Sequence, residues 1–405
     1  MFKRASLLLI GLFASIAAQA APMFNTALPV PLGVQIMPKA VTDDDLARIK
    51  AAGFDFVRFG VRPPVALLQP GVIDYDRLLA RINAHGLQAL VTLFGGNQVW
   101  GNTVAADPQP AEAFAQFAAT FVGAHLDQVQ AWELWNEPEI KTFLTPGNEA
   151  VFSNAVAAFC SQLKAANVKP KHLMGFGFAR FPYSDSRYAR FGSDIERAAK
   201  QGCITDISVH PYRRTPETVS QDYQVLRANL DAHGLGTIGI VSSEWGYASY
   251  FPVRTQAMQA NLLLRMYLAN IAAGVKAASV YAWKDSGSVA ISREQNFGLM
   301  QADEVSKPAL ADIQAALATL KHFTLQGYVK TGSLNQLTLK DGLRQLDIFW
   351  ADQGRMPVRA ALRGYSSCQQ FALAAGDERS SCSPDKGEFE LNVDTRPLAI
   401  LTVAP

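Results

Sequence analysis

The feature that most constrains this chain is an alternation running from Leu32 to about Leu320. Short apolar runs of strand-forming residues are separated there by longer segments with helical spacing. Strands are expected at Leu32–Ile36, Phe54–Phe59, Gln88–Phe94, Val129–Trp135, His172–Phe176, Ile204–Val209, Ile238–Ser243 and Ala278–Trp283. Helices are expected at Asp43–Ala52, Glu112–Leu126, Glu149–Ala166, Glu217–Ala232, Thr255–Ala273 and Pro308–Leu320. Several begin with Thr, Asp, Ser or Pro and end near Gly, as capping chemistry requires. The units ending Ala52-Gly53-Phe54 and Ala84-His85-Gly86-Leu87 share one pattern: a helix, a glycine suited to a left-handed C-terminal position, then a strand. Eight strands interleaved with helices predict an α/β fold, a (β/α)8 TIM barrel. The competing doubly wound sheet would need a glycine-rich phosphate turn after its first strand. Here Leu32-Gly33-Val34 runs directly into Met37-Pro38.

The texture changes after about Lys321. Leu334–Lys340, Asp341-Gly342 and Leu343–Trp350 read as two alternating strands joined by a two-residue turn, a strong hairpin signal. Phe389–Val393 and Leu398–Val403 continue the strand pattern. The expected organisation is a barrel domain over 21–321 and a small C-terminal antiparallel, sandwich-like β domain over 322–405. The Pro-rich segment Pro22–Pro31 is expected to be extended and to pack against that second domain.

At the N-terminus, Lys3 and Arg4 precede an apolar run from Leu7 to Ala18 and a small-x-small pattern, Ala18-Gln19-Ala20. This is the pattern of a secretory signal peptide over 1–20 rather than of a membrane span. Cleavage there would leave 385 of the 405 residues with a net charge of zero instead of +2; the alternative is an uncleaved anchor. The expected location is periplasmic or secreted. Export changes how the four cysteines are read: two disulfides become more natural than a metal site. Cys368 and Cys382 suit a local clip, whereas Cys160 and Cys203 are either a second pair or small buried hydrophobes. With 49% hydrophobic and 18% charged residues the chain is globular, and the lack of a basic block argues against nucleic acid.

In such barrels the working residues sit where strands end. The fourth strand ends Trp132-Glu133-Leu134-Trp135-Asn136-Glu137-Pro138, and the seventh ends Ser242-Ser243-Glu244-Trp245-Gly246. Those ends lie across the mouth from one another, so Glu137 and Glu244 are expected to meet over the cleft. Two carboxyl groups about 5–5.5 Å apart are what retaining glycoside hydrolysis needs.

Asn-Glu-Pro after strand four and Glu at the end of strand seven resemble the clan of retaining (β/α)8 glycoside hydrolases. Further matches are His210-Pro211-Tyr212 after strand six, Tyr281-Ala282-Trp283 at strand eight and Arg58 on strand two. The run Arg293–Leu299, followed by Lys307-Pro308-Ala309, is closest to glycoside hydrolase family 39, particularly its bacterial members encoded with exopolysaccharide pathways. Strand three departs from family 5 relatives: it ends Leu93-Phe94-Gly95-Gly96-Asn97, without their His.

The resemblance implies that Glu137 is the acid/base and Glu244 the nucleophile. Glu244 must be ionised, with Arg58 and the Tyr212 hydroxyl as donors. Glu137 must start protonated, the form favoured by an apolar wall and a neighbouring negative charge. Asn136 would bond the sugar 2-hydroxyl and His210 would orient the acid or a hydroxyl. Trp283 would offer a flat platform to a pyranose, extended by Trp100 unless that residue only anchors its loop. Glu133 reads as a buried partner of Arg58 and Glu139 as a solvated loop charge. The implied activity is a glycosidase with no cofactor and no metal, acting within a bacterial exopolysaccharide, on its own or beside a synthesis or export complex. The alternatives are a non-catalytic carbohydrate-binding component and a transglycosylase. A serine hydrolase is disfavoured because no G-x-S-x-G elbow is present.

Overall fold

The structure, a computed structural model, describes residues 22–63, 73–95, 109–183, 191–361, 365–382 and 388–405. The expected signal peptide and Trp100 lie outside the described residues. Two compact units emerge, Pro22–Lys321 and His322–Pro405.

The first unit is a closed ring of eight parallel strands in sequential order. They are β1 (Leu32–Gln35), β2 (Phe56–Val61), β3 (Gln88–Leu93), β4 (Ala131–Leu134), β5 (Leu173–Phe178), β6 (Asp206–Val209), β7 (Gly239–Trp245) and β8 (Ala278–Val280). Ring closure is carried by β8 against β1, with Ala278, Ser279 and Val280 opposite Leu32, Gly33 and Val34. The helices are α1 (Asp43–Ala51), α2 (Tyr75–Ala84), α3 (Gln109–Ala124), α4 (Glu149–Ala165), α5 (Gly192–Lys200), α6 (Val219–Ala232), α7 (Gln256–Ala273) and α8 (Pro308–Leu320). α1 starts where Thr42 accepts from the Asp45 amide while Asp45 returns a bond to Thr42, a capping box. Gly53 and Gly86 both have positive φ, 94° and 67°, so the expected left-handed turns between helix and strand form at both places.

One expectation is corrected. The Pro-rich N-terminal segment belongs to the barrel unit, where Met23 and Phe24 are buried in the barrel floor with Phe56, Leu90, Ala131, Met174, Val241 and Ala277. Phe24 stacks on Phe56 at 3.9 Å, and Gln130 Nε2 donates to the Met23 carbonyl at 2.7 Å. The physical reason is that the open N-terminal end of a parallel barrel exposes apolar side chains, and Met23-Phe24 supplies the surface that covers them.

The second unit is antiparallel. β9 (Thr324–Thr331), β10 (Leu334–Asp341), β11 (Arg344–Ala351), β13 (Ser367–Ala372), β14 (Ser380–Ser381) and β16 (Leu398–Val403) form one sheet in the order β14-β13-β16-β11-β10-β9. β12 (Met356–Ala361) pairs with β15 (Glu388–Val393) in a second. The hairpin turns one residue later than expected, at Gly342-Leu343, with Asp341 still paired opposite Arg344 and Gly342 at φ 56°. Cys368–Cys382 clips β13 to the residue after β14, and Cys160–Cys203 ties α4 to the turn after α5. Among the described residues no helix is long and apolar enough to cross a membrane.

Candidate active site

β2 carries Arg58 into the barrel axis, where its side chain is 1% exposed and donates in four directions. Its Nε and Nη2 reach Glu133 Oε2 at 3.1 and 2.6 Å. Its Nη1 reaches Gln35 at 2.8 Å and Glu244 Oε2 at 2.5 Å, and Nη2 also reaches Asn136 Oδ1 at 3.1 Å. A buried guanidinium with five N–H donors is stable only when acceptors surround it. Here the acceptors come from β1, β4 and β7, so one arginine sets the spacing of three strand ends.

Glu133 is fully buried. Burial would raise its carboxyl, but the charges of Arg58 and His210 outweigh that and hold it down to about 2. It is the permanent counter-ion of Arg58, and Thr92 adds a donor at 2.8 Å.

Glu137 projects from the turn after β4. Its amide donates to the Gly177 carbonyl at 2.9 Å, which ties the turn to β5. Trp135 and Glu137 adopt positive φ, 77° and 50°, a left-handed backbone that costs about 1–3 kcal/mol per residue and persists only where the surroundings enforce it. The enforcement is visible: the Trp135 ring is fully buried edge-on to Phe114 and Phe152. Gly177, at φ 59°, has a left-handed backbone that favours glycine, and a Cβ there would sit tightly, 3.1 Å from His210 Nε2 and 3.2 Å from Glu133.

His210, at the end of β6, is fully buried with Nδ1 2.8 Å from Glu137 Oε1. Burial alone would lower its pKa, but the charge of Glu244 and the Glu137 contact raise it instead. Glu244, on β7, accepts from the Tyr212 hydroxyl at 2.9 Å and from Arg58. Burial pushes its carboxyl up, yet the charges of His210 and Arg58 and the Tyr212 bond bring it below the ordinary value of 4.5. One ligand-type atom from each of Glu137, His210 and Glu244 lies within 4.8 Å of the others. The set matches metal-ligand types, but both Glu244 oxygens already accept hydrogen bonds and His210 Nδ1 faces Glu137. Only 15% and 17% of the Glu137 and Glu244 side chains are exposed, and both open into a cavity of about 1630 Å³.

Arg58, Asn136 and Tyr212 also line that cavity, as expected. Asn136 accepts from Arg58 through Oδ1, which fixes the side chain at the cavity wall. Trp283 is a correction. Its indole is 2% exposed, its N–H donates to Asp45 at 2.8 Å, and it does not line the cavity. A ring pinned to the capping carboxylate of α1 has no face to offer a sugar. The aromatic wall is built instead by Tyr281 and Phe297, 5.3 Å apart, with Phe297 edge-on to Tyr212. Tyr281 lies two residues before Trp283, and Phe297 lies within the Arg293–Leu299 run, so the segments were identified but not their inward-facing members. Glu139 is a second correction: it is half-buried, accepts from the Arg180 amide at 2.8 Å, and is pushed by burial up to about 7.

No family model and no curated protein matches the sequence. Solved structures do. A family 39 glycoside hydrolase from the gut symbiont Bacteroides cellulosilyticus has a TM-score of 0.75 at 17% identity, covering 93% of this chain and 81% of that one. A monomeric β-xylosidase from Caulobacter crescentus has a TM-score of 0.62 at 13% identity, covering 95% and 98%. A family 30 endoxylanase from Clostridium papyrosolvens also scores 0.62, at 10% identity with the same coverage. At such identities the likeness establishes the shared barrel fold.

Proposed function

We propose that the chain is a retaining glycoside hydrolase that cleaves within a bacterial exopolysaccharide, with Glu244 as nucleophile and Glu137 as acid/base. The observation that carries this reading is the approach of the two carboxyl groups to within 4.8 Å, in the range for a covalent intermediate and well below the spacing that admits a water between them. In the first step a Glu244 oxygen bonds to the anomeric carbon as the glycosidic C–O bond breaks and Glu137 passes its proton to the leaving oxygen. In the second, Glu137 takes a proton from water, the water oxygen bonds to that carbon, and Glu244 leaves as carboxylate. Arg58 and Tyr212 suit Glu244 to its ionised form, and His210 is placed to follow the charge on Glu137. The fold neighbours are named as a glycoside hydrolase, a β-xylosidase and an endoxylanase, which supports the activity class. An open cavity of this size suits several sugar units and favours internal cleavage. Two disulfides fit an oxidising compartment outside the cytoplasm.

The test is incubation with a panel of 2-deoxy-2-fluoro glycosides followed by peptide mass mapping. A covalent adduct on Glu244 is expected. No adduct with any sugar, together with no hydrolysis of exopolysaccharides by product sizing, would overturn the assignment.

A further inference from the structure

The cavity above the carboxylate pair holds more positive charge than the chemistry needs. Apart from Arg58, its described lining has five cationic side chains, Lys39, Arg62, Arg180, Arg213 and Arg293, against one acidic residue outside the pair, Glu294. Two of the five are answered locally, Arg213 by Asp222 and Arg293 by Glu294. Lys39 and Arg180 are exposed, and among the described residues no carboxylate pairs with either. The whole chain carries a formal charge of only +2, so the concentration is local.

Placement gives these charges a direction. Lys39 and Arg62 follow β1 and β2, while Arg180 and Arg213 follow β5 and β6. In a closed ring of eight strands, β1 and β2 stand diametrically opposite β5 and β6. The positive groups therefore occupy facing rims, with Glu137 and Glu244 between them. Each rim also presents an aromatic ring under a guanidinium: Arg62 lies 5.0 Å over Phe94 and Arg213 5.3 Å over Phe181. A neutral glycan gains hydrogen bonds from such groups. A carboxylate or sulfate gains an ion pair in addition, in bidentate form with a guanidinium, and is drawn in by the focused field of the cleft.

We propose that the substrate is a polyanionic glycan whose charged units lie on both sides of the cleaved bond, held by Lys39 on one rim and Arg180 on the other. This deepens the glycosidase reading and rests on it for the position of the cleaved bond.

The test is affinity electrophoresis of the full chain in gels containing polygalacturonate against its carboxyl-reduced form, and dextran sulfate against dextran. Retardation by at least one anionic polymer and not by its neutral counterpart is expected, and the pair that responds identifies carboxylate or sulfate as the anion. Retardation should vanish at about 1 M ionic strength, where the screening length is about 3 Å. The Lys39→Ala/Arg180→Ala variant should weaken binding about tenfold, whereas Lys169→Ala/Lys171→Ala, which removes the same charge at the opposite end of the barrel, should leave it unchanged. Equal mobility in the anionic and neutral gels, or equal loss in the two double variants, would overturn the proposal. Fluoro-glycoside labelling of Glu244 is scored separately. Label without charge dependence keeps the hydrolase and removes the polyanion; charge dependence without label does the reverse.

Discussion

Two buried arginines of the barrel unit show the difference between a closed ion pair, a fastener, and one that opens on a cavity. Arg265 on α7 meets Glu217 through two bonds of 2.7 Å each, and the two side chains are 4% and 0% exposed. Arg58 is as deeply buried, but its donors are divided among Glu133, Glu244, Gln35 and Asn136. In the first case a fork meets a fork and both charges are closed off. In the second, one cation serves two carboxylates, and the outer one, Glu244, keeps an oxygen at the cavity. The lesson is that burial and pairing alone do not identify a site. What does is an ion pair with one partner too many, arranged so that the surplus carboxylate faces open space.

The strongest way to break this contrast is through the two carboxylates that open on the cavity, the surplus Glu244 and its neighbour Glu137. Glu244→Gln and Glu137→Gln should each lower kcat on the order of 10³-fold while leaving thermal unfolding nearly unchanged. Near-normal turnover by either variant would return both residues to the structural class. The complementary change, Arg265→Ala, should cost about 3–5 kcal/mol of stability because it removes one member of a buried ion pair. Denaturant unfolding checks that, and kcat per folded molecule should hold steady. A loss below about 1 kcal/mol would show that the closed pair is not a fastener.

A finer comparison uses Tyr212. Replacing it with Phe removes one hydrogen bond to a charged oxygen, worth about 1.5–3 kcal/mol, so kcat/KM should fall roughly 10- to 100-fold. The sign of the pH effect is fixed. Glu244 lies below its ordinary value partly because of this donor, so the acid limb of the kcat/KM profile should move to higher pH in Tyr212→Phe. An unmoved limb would mean that the hydroxyl only positions the carboxylate.

The smallest effect expected is on stability against pH, and it compares two carboxylates six residues apart. Glu133, held near 2, contributes stability above its ordinary 4.5 that is lost as pH falls from there toward 2. Glu139, raised to about 7, contributes in the opposite sense: its share is present below 4.5 and is lost as pH rises toward 7. Glu139→Gln should therefore gain stability relative to the unsubstituted chain at pH 8 compared with pH 5, measured by urea unfolding. An equal difference at both values would place Glu139 in water, as the sequence suggests.

Glu139 also shows where sequence reading stops. Its side chain accepts from the amide of Arg180, 41 residues later, and no local pattern announces that contact. The eight barrel strands were legible because a parallel barrel strand is buried on both faces and so reads as an unbroken apolar run. Glu137 and Glu244 were legible because strand ends in a barrel converge, whereas Arg58, Asn136, His210 and Tyr212 were singled out by the family resemblance; the structure gathers all six side chains into one network. Trp283 was misread because β8 stops at Val280, after which facing in or out no longer follows strand parity, and its indole partner is 238 residues away. α5 was missed because the signals that mark the other helices are weak there: it opens on Phe191 and Gly192 with no side-chain cap. The short strands β12, β13 and β14 likewise lack the long alternating runs that announced β10 and β11.

The floor plug carries a consequence for orientation. Met23 and Phe24 lie at the end of the barrel remote from the cavity, so Pro22 is fixed on the side away from Glu137 and Glu244. A label attached at Pro22 would therefore sit at the barrel floor, and within the barrel unit a long polymer would reach the carboxylates without passing it.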